Sequence, residues 1–472
     1  MKIRSSRIRK ILPVLIVPLV LVLVALVSLY FWLSDDPAAN IMPRLPSRDL
    51  ASEPEAGASL PAQQSGQLIH FNTVAANTPG AWPRFRGSTF DGISTEKIPL
   101  ARSWPDAGPK ILWSVELGEG HAGAAVLAGK VYVIDYDRSR QADAIRCFSL
   151  ADGNEIWRYS YPVKIKRNHG MSRTVPAVTD RYIVTLGPKC HVTCLDAETG
   201  AFLWMIDLVK QFKTKVPPWY AGQCPLIDNA KAIISPGGRA LMIAVDCATG
   251  DIIWETGNPF GWDMTHSSII PVDFAGRRMY LYCASGGVIA VSAGDGKIVW
   301  HSSDWKIRIA AIPSPVPISQ GRIFFSGGYN AGAMMIQLTE ENGRIQHRKL
   351  FKLEADVFGS PQHTPIFYNG YIYGVRPDGQ LVCLDEQGRI LWTSSGANKF
   401  GLGPYVLADG MIYIMNDSGL LSVVEARPDR YVQLAQAKVL EGPDSWGPMA
   451  VAGTRLILRD LNKMICLDIA AP

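Results

Sequence analysis

A repeat built around glycine and tryptophan constrains this chain more than any other feature. The stretches RCFSLADGNEIWRYS (146–160), TCLDAETGAFLWMIDL (193–208), IAVDCATGDIIWETG (243–257), IAVSAGDGKIVWHSS (289–303), MIQLTEENGRIQHRKL (335–350) and LVCLDEQGRILWTSS (381–395) share one pattern. Each reads as a short strand, a turn ending in glycine, and a second strand. Tryptophan follows glycine by four residues in Gly153/Trp157, Gly200/Trp204, Gly250/Trp254, Gly296/Trp300 and Gly388/Trp392, and His347 takes that place after Gly343. The aromatic positions recur every 45–50 residues.

Upstream of each hairpin lies a further strand pair, as in PAVTDRYIVTLG (176–187), PVPISQGRIFFSGG (315–328) and TPIFYNGYIYGV (364–375). Four strands per unit at this period describe one blade of a β-propeller. The glycine suits a tight turn with positive φ, and the indole supplies a large apolar wedge between neighbouring blades. The blade-docking residues are then Trp157, Trp204, Trp254, Trp300 and Trp392, with Trp113 as a sixth. Two further units, 404–439 and 448–470, keep the strands and lose the Gly/Trp pair. The last has only three strands. Its missing outer strand matches KILWSVEL (110–117), so the two ends of the body should share one blade. Closure of that kind leaves no open sheet edge. The expected fold is all-β: an eight-bladed β-propeller of four-stranded antiparallel blades over 82–472. Seven blades would result if 404–439 were divided otherwise.

Charge and hydropathy organise the other end. Lys+Arg minus Asp+Glu is 47 − 42 = +5. Residues 1–10 contain five basic residues and no acid, so the remaining chain is balanced. The charge belongs to a short arm, and a nucleic-acid partner has no electrostatic support. Residues 11–33, ILPVLIVPLVLVLVALVSLYFWL, carry no charge. A helix of this length spans a hydrocarbon core of about 30 Å, and the run exceeds the core of a cleaved signal peptide. The expectation is a cytoplasmic basic arm (1–10), a transmembrane signal-anchor helix (11–33) and a disordered linker (34–81). The positive-inside rule places the arm in the cytoplasm, and the propeller in the periplasm beyond the inner membrane.

The A-x-D-x-x-T-G-x-x-x-W pattern, as in IAVDCATGDIIW and TCLDAETGAFLW, resembles the tryptophan-docked repeats of the pyrroloquinoline-quinone (PQQ) propeller superfamily. WPRFRGSTFDGIS (82–94) and WPDAGPKILWSVELGEG (104–120) look like the opening of the PQQ-binding-like β-propeller repeat proteins of bacterial envelopes, commonly grouped with the outer-membrane-protein assembly factor BamB. The resemblance covers about 82–472. It implies the propeller fold and leaves activity open, because the repeat marks quinoprotein dehydrogenases and non-enzymatic scaffolds alike. Those assembly factors are usually lipoproteins, whereas no Cys follows the apolar run here.

Cys147, Cys194, Cys383 and Cys466 share one repeat position with Ala244 and Ala290, which marks a small buried packing site. Cys190 and Cys194 form a C-x3-C with no second pair at zinc spacing, and sequence cannot pair the cysteines. His121, His169, His266 and His363 fall in connections between one blade's outer strand and the next blade's inner strand, as do Trp219, Tyr220, Asp263 and Trp446. Such connections gather at one face near the axis. These eight residues are the candidates for a ligand or partner site at the channel mouth, or for plugging the central hole.

A quinoprotein dehydrogenase, on the resemblance, uses a Trp platform, a disulfide between adjacent cysteines, a calcium ion and an Asp base. The sequence has no Cys-Cys pair and no C-x-x-C-H haem site. G-x-S-x-G, H-E-x-x-H, Walker and Rossmann signatures are also missing. Trp219 and Asp263 would be the platform and base. The favoured expectation is a membrane-anchored, non-catalytic scaffold without cofactor or metal, binding envelope or outer-membrane proteins, with outer-membrane protein assembly as its suggested task. The alternatives are a PQQ- and calcium-dependent dehydrogenase, and an envelope sensor or polysaccharide-binding module.

Overall fold

The computed structural model describes residues 21–30, 66–75, 77–307 and 309–471. Within the apolar run, residues 21–30 are helical with exposed side chains. Among the described residues no helix is long and apolar enough to cross a membrane. The remainder of the predicted 11–33 span, the basic arm and residues 34–65 lie outside the described residues.

Eight antiparallel sheets follow one another along the chain. In order from Ala125–Leu127, they cover residues 125–162, 177–207, 226–257, 270–302, 316–353, 366–393 and 405–438. The eighth takes three strands from 450–468 and its fourth from Ile111–Glu116. Each runs from a short inner strand to an outer strand, as in an eight-bladed propeller. Ring closure is a strand pairing: Ile111 lies opposite Leu467, Trp113 opposite Cys466 and Glu116 opposite Lys463.

The D-x-x-T-G turn explains itself in hydrogen bonds. Asp196 Oδ1 accepts from the Thr199 backbone N–H (2.8 Å) and the Thr199 hydroxyl (2.7 Å), while Gly200 N–H donates to the Asp196 carbonyl (2.9 Å). The small residue ahead of the turn sits directly across from the tryptophan: Cys147 opposite Trp157, Cys194 opposite Trp204 and Ala244 opposite Trp254. A bulge next to this pair recurs from blade to blade.

Glycine has a second duty beyond its φ. A Cβ on Gly200 (φ 72°) would lie 2.6 Å from the Trp157 ring, and one on Gly250 (φ 80°) 2.7 Å from Trp204. Trp113, Trp157, Trp204 and Trp254 therefore each pack on the glycine turn of the following blade. The Trp204 indole also donates to Cys247 O (2.9 Å) in that blade, Trp113 to Leu150 O (3.0 Å) and Trp392 to Arg427 O (2.8 Å). The Trp157 and Trp254 indole nitrogens are buried without a partner. Apolar faces join the blades between these wedges; Val184, Val192 and Cys194, for example, pack with Ile227, Ala232 and Ile243 of the next blade.

Two expectations require correction. His347 does not occupy the tryptophan place of its blade. There both outer strands run to ten residues, Gly332–Glu341 and Arg344–Leu353, and Phe351 stands opposite Met335 beside the bulge. A Cβ on Gly388 would meet Phe351 at 2.8 Å. The longer hairpin moves the docking residue four positions past the one that counting from Gly343 selects. His347 instead receives the Trp300 indole N–H on Nδ1 (3.2 Å). The linker also ends earlier than residue 81. Gln67–His70 is a fifth, outermost strand on the first blade, with Gln67 opposite Ser160 and His70 opposite Trp157. This segment lacks the four-strand period, so the repeat carried no sign of it.

All eight cysteines are buried free thiols, and burial raises their pKa.

Candidate functional site

In a four-stranded antiparallel blade, the second-to-third turn and the link to the next blade emerge at the same end. All eight candidate residues lie in those links, so they share the loop face of the ring. Three groupings result.

The first joins His121, His169 and Trp446. His121 and Trp446 rings lie 5.3 Å apart, and His121 Nε2 is 3.0 Å from the His169 carbonyl. Burial, then the Arg173 and Arg459 charges, push the His121 pKa down to about 3. Trp446 Nε1 donates to Asp417 Oδ1 (2.7 Å).

The second joins Trp219, Tyr220 and His266. Their link, 208–225, opens with a short helix, Leu208–Phe212, capped by the Asp207 side chain. Lys213 ends it in the left-handed region (φ 61°), and Pro217-Pro218 leads into two further left-handed residues, Trp219 (φ 62°) and Tyr220 (φ 72°). This backbone is held from the neighbouring link: Arg173 Nε donates to Trp219 O (2.5 Å), and the Tyr220 hydroxyl donates to Lys166 O (2.6 Å). The Trp219 and His266 rings are 6.4 Å apart. His266 is half-buried against the Pro218 and Tyr220 carbonyls, and desolvation lowers its pKa to about 4. Asp263 stands apart from this group, in an ion pair with Lys215 (3.1 Å).

The third is His363, half-buried beside Tyr405, whose hydroxyl donates to the His363 carbonyl (3.0 Å). Desolvation lowers the His363 pKa to about 4. His121, His266 and His363 therefore act as neutral staples between links. Among the described residues no group of three or more His, Cys, Asp or Glu could hold a metal ion. Asp263 is engaged by Lys215, and Trp219 lies against His266.

Sequence reasoning missed two components. One is a set of buried arginines with carbonyl partners. Arg459 donates to the carbonyls of Gly118, Ala122, Asp460 and Leu461, and Arg173 to those of Asn168, His169 and Trp219. Desolvation lowers both pKa values to about 10. No local pattern marks such residues.

The other is the segment 80–96, which was read only as a family signature. It runs inside the ring along the inner strands. Trp82 exchanges two backbone hydrogen bonds with Val126 of the first blade (2.8 Å each), and Val178 N–H of the second donates to Pro83 O (2.8 Å). Arg84 reaches Ile227 O in the third blade (3.5 Å), and Phe90 packs with Leu226 and Ile269. Arg86, fully buried, donates to Phe90 O, Asp91 O, Thr364 O and Pro365 O. Ile93 bridges Leu407 of the seventh blade, and Glu96 accepts from Gly453 N–H beside the eighth. The segment thus covers inner edges that would otherwise line the central hole, using both its backbone and the Arg84, Arg86 and Glu96 side chains.

The family model described as outer membrane protein assembly factor BamB matches residues 141–393, more than half of the chain. The chain belongs to the BamB family. Two curated BamB proteins are similar along most of their length. That of Moranella endobia (strain PCIT) is 21% identical over 324 residues, covering 66% of this chain and 75% of its own. That of Shewanella oneidensis is 19% identical over 373 residues, covering 67% and 89%. Among solved structures, BamB from Moraxella catarrhalis superposes with a TM-score of 0.55 at 16% identity, over 76% of this chain and 99% of that one. A computationally designed protein, Ika8, superposes with a TM-score of 0.52 at 11% identity, over 76% and 100%. At these identities the superpositions speak for the BamB-type fold.

Proposed function

We propose that this BamB-family propeller is a non-catalytic protein-interaction scaffold of the bacterial cell envelope that serves outer-membrane protein assembly. The observation that carries the reading is the family match across more than half of the chain. Segment 80–96 supports it, because a ring whose inner edges are covered offers its faces to partners. Residues His121, His169, Trp219, Tyr220, Asp263, His266, His363 and Trp446 belong to the loop face in this proposal. His121, His266 and His363 shape it from below, and Trp219 and Trp446 contribute its aromatic surface. The uncharged run at 11–33 is proposed to hold the chain in the inner membrane, with the propeller in the periplasm.

In-cell cross-linking followed by affinity purification tests the role. Outer-membrane barrel proteins or their assembly machinery should be recovered. Recovery of glycans alone would favour a sensor and refute the scaffold. The PQQ reading has its own test: addition of PQQ and calcium should yield neither bound quinone absorbance nor dye-linked alcohol oxidation.

A further inference from the structure

The loop face carries a charge asymmetry that the overall balance conceals. Five of its segments belong to the first three blades and the two links between them: 138–141, 163–176, 187–190, 208–225 and 235–239. Together they contain eleven Lys or Arg and no Asp or Glu. The other segments of the same face are 117–124, 258–269, 285–286, 303–315, 328–331, 354–365, 376–380, 394–404, 416–419, 439–449 and 460–462. They contain four Lys or Arg and ten Asp or Glu. One crescent is therefore +11 and the remaining arc 4 − 10 = −6.

We infer that the basic crescent is a docking surface for an acidic polypeptide segment of a partner protein. Arg138, Lys164, Lys210, Lys213, Lys215 and Arg239 are exposed along it. Several of its charges have acidic neighbours: Asp137 pairs with Arg140, Glu119 with Arg167, Asp207 with Lys210, Asp263 with Lys215 and Glu255 with Arg239. The platform beneath is rigid. Tyr220 and Arg173 tie the 208–225 link to the 163–176 link, and the left-handed Trp219 is set between the two basic segments. A surface already ordered loses little entropy on binding, and arginine with tryptophan is the composition that dominates binding hot spots.

Charge arrangement favours a polypeptide over a lipid surface. A flat anionic bilayer meeting this face would also meet the acidic arc and be repelled by it. A narrow acidic chain follows the crescent alone. The inference deepens the scaffold reading and rests on it for the partner's being a protein.

The test is anisotropy of a fluorescein-labelled oligoglutamate of about 15 residues against the full chain in detergent, at ionic strengths where the Debye length falls from about 10 Å to about 3 Å. Binding should occur at low salt and weaken at high salt, and an uncharged Gly-Ser peptide of the same length should not compete. The triple variants K164E/K166E/R167E and K210E/K213E/K215E should each lose at least tenfold in affinity. The control K297E/R389E, on the opposite end of the ring, should change it less than twofold. Equal losses in crescent and control variants, or none in the crescent variants, would overturn the assignment. So would displacement of the peptide by phosphatidylglycerol vesicles but not by phosphatidylcholine vesicles at matched lipid concentration, which would assign the crescent to lipid. Trp219→Ala, which leaves the charges in place, should weaken binding severalfold without shifting Tm. Failure of the cross-linking experiment with peptide binding intact would count against the scaffold role and leave the crescent standing.

Discussion

Gly200→Ala separates the two demands placed on the repeat glycine. At φ 72°, any L-residue meets the left-handed penalty, about 1–2 kcal/mol. At Gly200 the new methyl would also stand 2.6 Å from the Trp157 ring and 3.1 Å from Leu68. Overpacking of that kind costs about 1–3 kcal/mol. Gly410 has nearly the same φ, 70°, and nothing within 4 Å of an added Cβ. Gly410→Ala should therefore show the backbone cost alone, and Gly200→Ala about 2–5 kcal/mol in all. Unfolding entropy near 2.1 cal/mol/K per residue, over a body of ~400 residues, makes each kcal/mol worth roughly 1 °C. Scanning calorimetry should find Tm lowered by about 1–2 °C for Gly410→Ala and about 2–6 °C for Gly200→Ala. In a Trp157→Ala background the excess should vanish, because the clash has lost its partner. Equal Tm losses for the two glycines, or an excess that survives in that background, would refute the docking of Trp157 on the next blade's turn.

Other perturbations follow from the same geometry. Trp204→Phe should cost about 1 kcal/mol more than Trp157→Phe, since of the two only Trp204 gives up an indole hydrogen bond, to Cys247 O; urea midpoints would show it. Arg86→Lys should expose segment 80–96 to limited proteolysis, because an ammonium cannot reproduce the guanidinium fork that serves four carbonyls. Stability should fall as pH drops from about 6.5 to about 4. The folded state keeps His121, His266 and His363 neutral there while the unfolded chain binds their protons, at about 1.4 kcal/mol per pH unit for each. His191 shifts the same way. Buried Asp143, raised to about 7, opposes them: its unfolded carboxyl loses a proton above about 4, so its contribution falls as pH rises towards 7. Calorimetry from pH 4 to 7 should give a net positive slope, smaller in His266→Gln.

The sequence by itself determined the ring. Glycine and tryptophan four residues apart, repeated at the blade period, state a local turn and a lateral packing rule, and both act between neighbours in sequence. Even the shared eighth blade was legible, because Trp113 completes the rule for Cys466. Tertiary structure decided what that rule does not reach. Phe351 replaces His347 only because a longer hairpin shifts the strand register. Gln67–His70 and segment 80–96 lie across blades remote in sequence, with carbonyls and open strand edges as partners, and every residue type supplies those. The loop face likewise took shape only on folding: His121 reaches a carbonyl 48 residues away and Arg459 two that are 337 and 341 away, and the basic crescent forms because the ring sets five separate segments side by side.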